Sequence, residues 1–192
     1  FVYYPEIKKT GAMFIKTYNK KILILGCDTQ ENLKEIKNKI ILYLKRQGIN
    51  IIDYLILYSL KYENNYNIIK KNFLVLNILS DKYVEGKNVQ LYINNSNFFI
   101  DKDLYVSFYD NNIELKIKDE LFVFGKYLNN ILKSMDKKNL FLCNCYLNKI
   151  EYEMLQNSVI IINSSLAEKY YRIKIPENIW DINKHGEKYF NF

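Results

Sequence analysis

Histidine occurs once in these 192 residues, at His185, and cysteine three times, at Cys27, Cys143 and Cys145. A catalytic zinc centre gathers about three or four His, Asp, Glu or Cys side chains on one point, so a several-histidine site is excluded by count alone. An odd number of cysteines, two of them one residue apart, argues against a disulfide framework and for buried free thiols. Proline appears only at Pro5 and Pro176, and alanine only at Ala12 and Ala167. No apolar run approaches the ~20 residues needed to cross a bilayer. The start lacks a charged-then-apolar signal segment, so any membrane attachment is expected outside these residues. Ser59, Ser80, Ser107 and Ser134 lie in no G-x-S-x-G, and neither a P-loop nor a G-x-G-x-x-G phosphate cradle is found.

What is present is 49% hydrophobic, enough for one domain with a sizeable core. The sequence opens on Phe1 rather than Met, which points to a segment of a longer protein. Lys and Arg number 28 against 21 Asp and Glu, a formal charge of +7. Such an excess attracts nucleic acid or an anionic membrane surface. The abundance of Lys, Asn, Ile, Tyr and Phe is also what an AT-rich genome produces, and both accounts of the lysines stay open.

Met13 to Thr17 and Ile22 to Leu25, split by the polar Tyr18-Asn19-Lys20-Lys21, predict a β-hairpin at the edge of a sheet. Asp28 and Glu31 have capping-box spacing, and Leu33, Ile36, Ile40, Ile41 and Leu44 form one apolar helical stripe that Gly48 ends. Strand character resumes from Ile49 to Tyr58 and from Leu74 to Leu79, with a short helix between, at Ile68, Ile69 and Phe73. Strand and helix alternate, an α/β signature. From Val89 to Gly125 short strands follow one another, at Val89 to Ile93, Phe98 to Ile100, Leu104 to Tyr109, Ile113 to Ile117 and Leu121 to Phe124. The compact turn Asp110-Asn111-Asn112 pairs the third with the fourth. Beyond them come a helix with Leu128, Ile131, Leu132 and Met135 on one face, a strand at Leu140 to Cys145, a helix at Ile150 to Leu155 and a strand at Val159 to Ile162. Terminal strands are expected near Tyr170 to Ile175 and Lys188 to Phe190. No internal repeat, linker or domain boundary is visible, so residues 1–192 read as one domain.

The stretch Asp53-Tyr54-Leu55-Ile56-Leu57-Tyr58-Ser59-Leu60-Lys61-Tyr62-Glu63-Asn64 resembles the strand and loop of the metallo-β-lactamase superfamily, in which D-Y-L-I-L-S runs into H-x-H-x-D-H. Gly11 to Thr17 and Asn19 to Gly26 are similar to that family's G-D-A-x-L-I-x-T and N-G-K-x-I-L-I-D-G. Tyr43-Leu44-Lys45-Arg46-Gln47-Gly48-Ile49 looks like the L-P-Y-L-R-x-x-G-I of ComEC-type competence proteins. The resemblance runs from Gly11 to Phe73; beyond it Leu121 to Lys126 matches L-L-L-T-G-D, and Asn183 to Phe190 the closing T-x-x-x-G-x-I-x-F. It implies an αββα sandwich of two mixed sheets with outer helices. It also implies a DNA-uptake context: a domain on the extracytoplasmic side of the inner membrane, attached to the transmembrane portion of the same protein.

The chemistry of that family is missing. Its ligand positions fall on Ser59, Lys61, Glu63 and Asn64, its first-strand aspartate on Leu25 and its T-G-D aspartate on Lys126. Only Glu63 could hold a metal, and Lys126 would set a cation where a metal belongs. No catalytic residue, metal or cofactor is therefore expected, and the chain is expected not to be an enzyme. The rival is a remodelled magnesium site of Glu63, Asp28 and Asp110, which no spacing supports. His185 before Gly186 reads as a solvated turn residue. Basic residues beside aromatics can grip a single strand by charge and stacking, and Lys61-Tyr62, Lys126-Tyr127 and Lys169 with Arg172 are the candidates. A non-catalytic module guiding DNA is the leading expectation. A structural remnant bracing a membrane partner and a metal-free pseudo-nuclease subunit of an RNA-processing complex are the alternatives.

Overall fold

The computed structural model describes residues 1–7, 10–26, 28, 30–109, 112–118, 120–125, 139–143, 159–163 and 179–191. Among them the chain is a mixed α/β structure, mostly strands, with two sheets and few helices. In chain order the strands are β1 (Val2–Tyr4), β2 (Gly11–Lys16), β3 (Lys21–Gly26), β4 (Ile51–Tyr58), β5 (Leu74–Ser80), β6 (Val89–Leu91) and β7 (Ser96–Asp101). There follow β8 (Leu104–Tyr109), β9 (Asn112–Ile117), β10 (Glu120–Gly125), β11 (Asn139–Cys143), β12 (Val159–Asn163), β13 (Ile179–Asp181) and β14 (Lys188–Phe190). Two compact units divide them: Phe1–Tyr92 with Gly186–Phe192, and Ile93–His185.

The first unit holds a sheet in the order β14-β1-β2-β3-β4-β5-β6. From β14 to β3 the pairs are antiparallel, and from β3 to β6 they are parallel. The expected hairpin is β2 and β3, closed by Thr17, whose N–H donates to the Lys20 carbonyl at 2.9 Å. It is not at the sheet's edge, as its sequence implied: β1 and β14 extend the sheet on one side and β4 on the other. Burial explains this, because Met13, Ile15, Ile22 and Ile24 are as fully buried as Phe14, Leu23 and Leu25 on the opposite face. An edge strand has no use for two apolar faces, whereas central strands read as continuous apolar runs.

On one face of this sheet, Ala12, Phe14, Leu23, Leu25, Leu55 and Leu57 pack with residues of two crossover helices. The first, α1, covers 33–46 in three consecutive pieces: Leu33–Glu35, Ile36–Ile41 and Leu42–Arg46. Its middle piece is wound as a π-helix, with the Leu42 N–H donating to the Lys37 carbonyl five residues back. The wider turn brings Ile36, Ile40 and Ile41 to the sheet beside Leu44, while Leu33, at the first helical residue, is left 36% exposed. The stripe read from the sequence is thus buried at every position but that one. Burying one such Leu or Ile is worth about 1.5–3 kcal/mol.

Gly48 ends α1 as expected, at φ +70. Its N–H donates to the Lys45 carbonyl at 3.0 Å and that of Ile49 to the Leu44 carbonyl at 2.9 Å, the two bonds of a Schellman cap. At the other end the capping box is not formed. Asn32, not Asp28, precedes the first turn, and no side chain caps it. The second crossover, α2 (Glu63–Asn72), buries Tyr66 and Ile69 and matches the short helix read from its apolar spacing.

In the second unit the order is β7-β8-β9-β10-β11-β12-β13. The pairs from β7 to β10 are antiparallel and those from β10 to β13 parallel, so both sheets carry three antiparallel pairs followed by three parallel ones. The β8–β9 hairpin forms as expected, with Tyr109 opposite Asn112. Val106, Phe108, Ile113, Leu115, Phe122 and Phe124 are buried, while Phe99, 63% exposed, meets Tyr105 edge-on at 5.1 Å. The first of the expected meander strands belongs elsewhere: β6 pairs with β5 in parallel, in the first sheet. A short helix, α3 (Ile182–His185), follows β13, and the chain then returns as β14 to pair with β1. The turn at Asp110-Asn111, Cys145, the strand Tyr170 to Ile175 and the helices expected at Leu128 to Met135 and Ile150 to Leu155 lie outside the described residues. No helix among the described residues is long and apolar enough to cross a membrane.

Candidate functional site

In open sheets with helical crossovers, ligands gather at the carboxyl ends of the parallel strands, where the loops diverge. In the first unit those ends lie level: Leu25, Leu57, Ser80 and Leu91 are successive partners across β3 to β6. Of the connections leaving them, the described residues are 28 and 30–32, 59–62, 81–88 and 92–95. Strand β3 closes on Gly26, where an added Cβ would fall 1.8 Å from the Tyr58 carbonyl oxygen, so only glycine lets the two backbones approach this closely.

Leu25, the position matched above to an aspartate of the resembled family, is fully buried among apolar neighbours. Ser59 is half-buried in the left-handed region at φ 49, a conformation that turns the chain sharply out of β4. Lys61 is exposed, Tyr62 half-buried at the N-terminus of α2, and Glu63 and Asn64 exposed in its first turn. Lys126, Tyr127, Lys169, Arg172 and Asp110 lie outside the described residues. Among the described residues no three His, Cys, Asp or Glu side chains gather where they could hold a metal ion.

What joins the loops is a buried hydrogen-bond chain that starts one residue past the last ligand position. The Asn65 amide donates to Asp28 Oδ2 at 3.1 Å, and its Oδ1 accepts the Asn32 N–H at 3.1 Å. Asn32 in turn donates its side-chain amide to Thr10 Oγ1 at 3.1 Å and accepts from Gln30 Nε2 at 2.9 Å. Thr10, Asp28 and Asn65 are fully buried and Asn32 nearly so. This chain fixes the loop after β3, the start of α1 and the start of α2 to one another. Chemically it is a lock: one carboxylate, three amides and a hydroxyl occupied with each other. The capping-box reading of Asp28 missed it because its partner is 37 positions away.

Sequence reasoning also passed over Lys82-Tyr83, on the loop after β5. Lys82 Nζ donates to the Leu60 carbonyl, directly before Lys61, and its N–H donates to Ser80 Oγ at 3.3 Å. Farther along the same loop the Glu85 carbonyl accepts from both Tyr66 Oη and Lys70 Nζ, with Lys70 lying 5.0 Å from the Tyr66 ring centroid. Tyr83 itself is 78% exposed. The same Lys-Tyr signature that singled out Lys61-Tyr62 marks this pair.

A second polar cluster lies on the β1–β14 side of the sheet. Glu187 accepts from Tyr3 Oη on one oxygen and from Tyr189 Oη on the other, each at 2.9 Å. The Tyr3 ring stacks on Tyr189 at 4.8 Å and packs against Tyr43 at 4.0 Å. Burial, followed by the hydrogen bond to Glu187, pushes both the Tyr3 and Tyr189 hydroxyls well above the usual tyrosine range, and burial alone does so for Tyr4. Lys39 pairs with Glu6 at 3.0 Å nearby. His185 ends α3, exposed and 5.2 Å from the Trp180 ring, and is followed by Gly186 at φ +78. No protein-family model matches the chain, and no curated protein matches it.

Proposed function

We propose that the chain is a non-catalytic metallo-β-lactamase-like domain, an αββα sandwich of the kind found in ComEC-type DNA-uptake proteins, that guides a DNA strand by charge. The observation that carries this reading is the loop after β4. At the strand end where a hydrolase of that family would hold its metal, an exposed Lys61 and a half-buried Tyr62 lie beside Glu63 and Asn64. Two features support it: the identical succession of strand senses in both sheets, and the two-sided apolar burial of β3 and β4, which suits a sheet inside a layered fold. Attachment to a transmembrane partner on the extracytoplasmic side belongs to the same proposal.

The physical basis of guidance is counterion release from phosphates, which is insensitive to sequence and sensitive to salt. Binding of a thymidine oligonucleotide by the purified chain at several salt concentrations tests it, comparing wild type with Lys61→Glu and with the control Lys37→Glu. Lys37 is exposed on α1, outside the loop after β4, whereas Lys39 makes a poor control because Glu6 already holds it. Lys61→Glu is expected to weaken binding and flatten the salt dependence by about one contact's worth, roughly 0.7 in the log–log slope, and Lys37→Glu to do much less. Equal losses would leave net charge alone. Absence of binding at low salt would favour the structural remnant, and a preference for RNA the pseudo-nuclease alternative.

A further inference from the structure

We infer that Tyr83 is a base-stacking platform of the same rim, with Lys82-Tyr83 continuing the surface begun by Lys61-Tyr62. This rests on the reading that the rim binds single-stranded DNA. The two dipeptides are 21 positions apart in sequence, yet the bond from Lys82 Nζ to the Leu60 carbonyl ties one loop to the other. Both loops leave neighbouring parallel strands at their carboxyl ends, the same end of the sheet.

Three observations single out Tyr83. Its side chain is 78% exposed, so the face of the ring is open to a base. Its loop is anchored on both sides of it, by Lys82 to Ser80 and Leu60 and by Glu85 to Tyr66 and Lys70, and Val84, the next residue, is buried. The ring is therefore held out on a braced turn, and ordering it on binding costs little. Finally, the loop itself carries Lys82 and Lys87, and Lys70 of α2 reaches its Glu85 carbonyl, so that three lysines belong to the loop or touch it against Asp81 and Glu85. An open ring on a lysine-bearing loop suits a nucleobase joined to a phosphate, because every base offers a π-face and every linkage a charge.

The test uses the whole chain, a thymidine oligonucleotide and the variants Tyr83→Ala and Tyr83→Phe. Tyr83→Ala is expected to weaken binding between about fivefold and about 150-fold, the range for lost base stacking, with the slope of affinity against salt unchanged, since no charge is removed. Tyr83→Phe keeps the ring and is expected to bind as wild type does. Lys61→Glu separates the two levels of the argument. If it weakens binding and flattens the slope while Tyr83→Ala binds like wild type, the stacking role is overturned and the charged rim stands. If wild type itself fails to bind at low salt, both fall. A bromouracil oligonucleotide photocrosslinked to the chain gives a readout free of affinity: the adduct is expected on the peptide holding Tyr83, and its absence there with adducts elsewhere would overturn the assignment.

Discussion

Asn65, in the first turn of α2, donates its side-chain amide to Asp28, in the loop after β3, across 3.1 Å, and both residues are fully buried. Because Asn65 also accepts the Asn32 N–H, one side chain pins the loop after β3 at two points to the start of α2. Asn65→Ala is expected to destabilise the chain by about 1–3 kcal/mol, the cost of leaving buried polar groups short of a partner. Asn64→Ala, one residue earlier and exposed, should change stability by no more than about 0.5 kcal/mol. Urea denaturation of the two variants compares them directly, and equal losses would show that the buried chain contributes nothing.

Gly48 offers a purer test of backbone conformation, because an added Cβ would meet nothing within 4 Å. Gly48→Ala therefore costs only the left-handed backbone strain, about 1–2 kcal/mol. Gly48→Asn, better suited to φ +70, should cost less. A thermal melt ranking wild type, Asn and Ala in that order checks it.

Alkaline pH should unfold the chain earlier than its net charge alone would. Tyr3, Tyr4 and Tyr189 hold their protons above the usual tyrosine value of about 10, so the folded state binds more protons than the unfolded state there. Stability is then fully present below that value and falls as pH rises past it. For the buried Tyr4 the loss is about 1.4 kcal/mol per pH unit while its hydroxyl stays protonated in the fold. Denaturant midpoints from pH 8 to 11 report it, and Tyr4→Phe should shallow the decline; a decline of unchanged slope would refute the assignment.

Purified chain should carry no stoichiometric zinc or manganese and show no nuclease activity, since Leu25, Ser59, Lys61 and Asn64 are poor or impossible metal ligands. Elemental analysis and a cleavage assay with added magnesium decide this. Cleavage lost on Glu63→Gln would establish a remodelled site instead.

The central elements were legible because their causes are local. Leu23 to Leu25 and Leu55 to Leu57 announce buried strands by an unbroken apolar run, and Gly48 announces a helix end by being the residue that a positive φ favours. What stayed hidden depends on partners distant in sequence. Val2-Tyr3-Tyr4 is too short to read as a strand, and it forms one because Phe190 and Ile15 come to lie on either side of Val2. Val89 looks like the start of a meander, yet a parallel register with Ile78 claims it for the first sheet. Asp28 has the spacing of a helix cap and serves an amide on another helix instead. At the site, the Lys61-Tyr62 signature was readable, whereas the nearness of Lys82-Tyr83 depends on one lysine reaching a carbonyl across two loops. The π-wound turn that leaves Leu33 outside left no mark that periodicity could detect.

The edges of the two sheets bear on how this chain behaves in concentrated solution. Among the described residues, β6, β13 and β14 are edge strands of three residues each, too short to template a neighbouring molecule. The remaining edge, β7, is six residues long and presents Phe99 to solvent. Its protection is the irregular register between Phe99 and Asp101, which breaks the straight ladder another chain would need. Among the described residues β7 is thus the edge most open to strand addition, and Phe99→Lys is the substitution that should keep the protein dispersed.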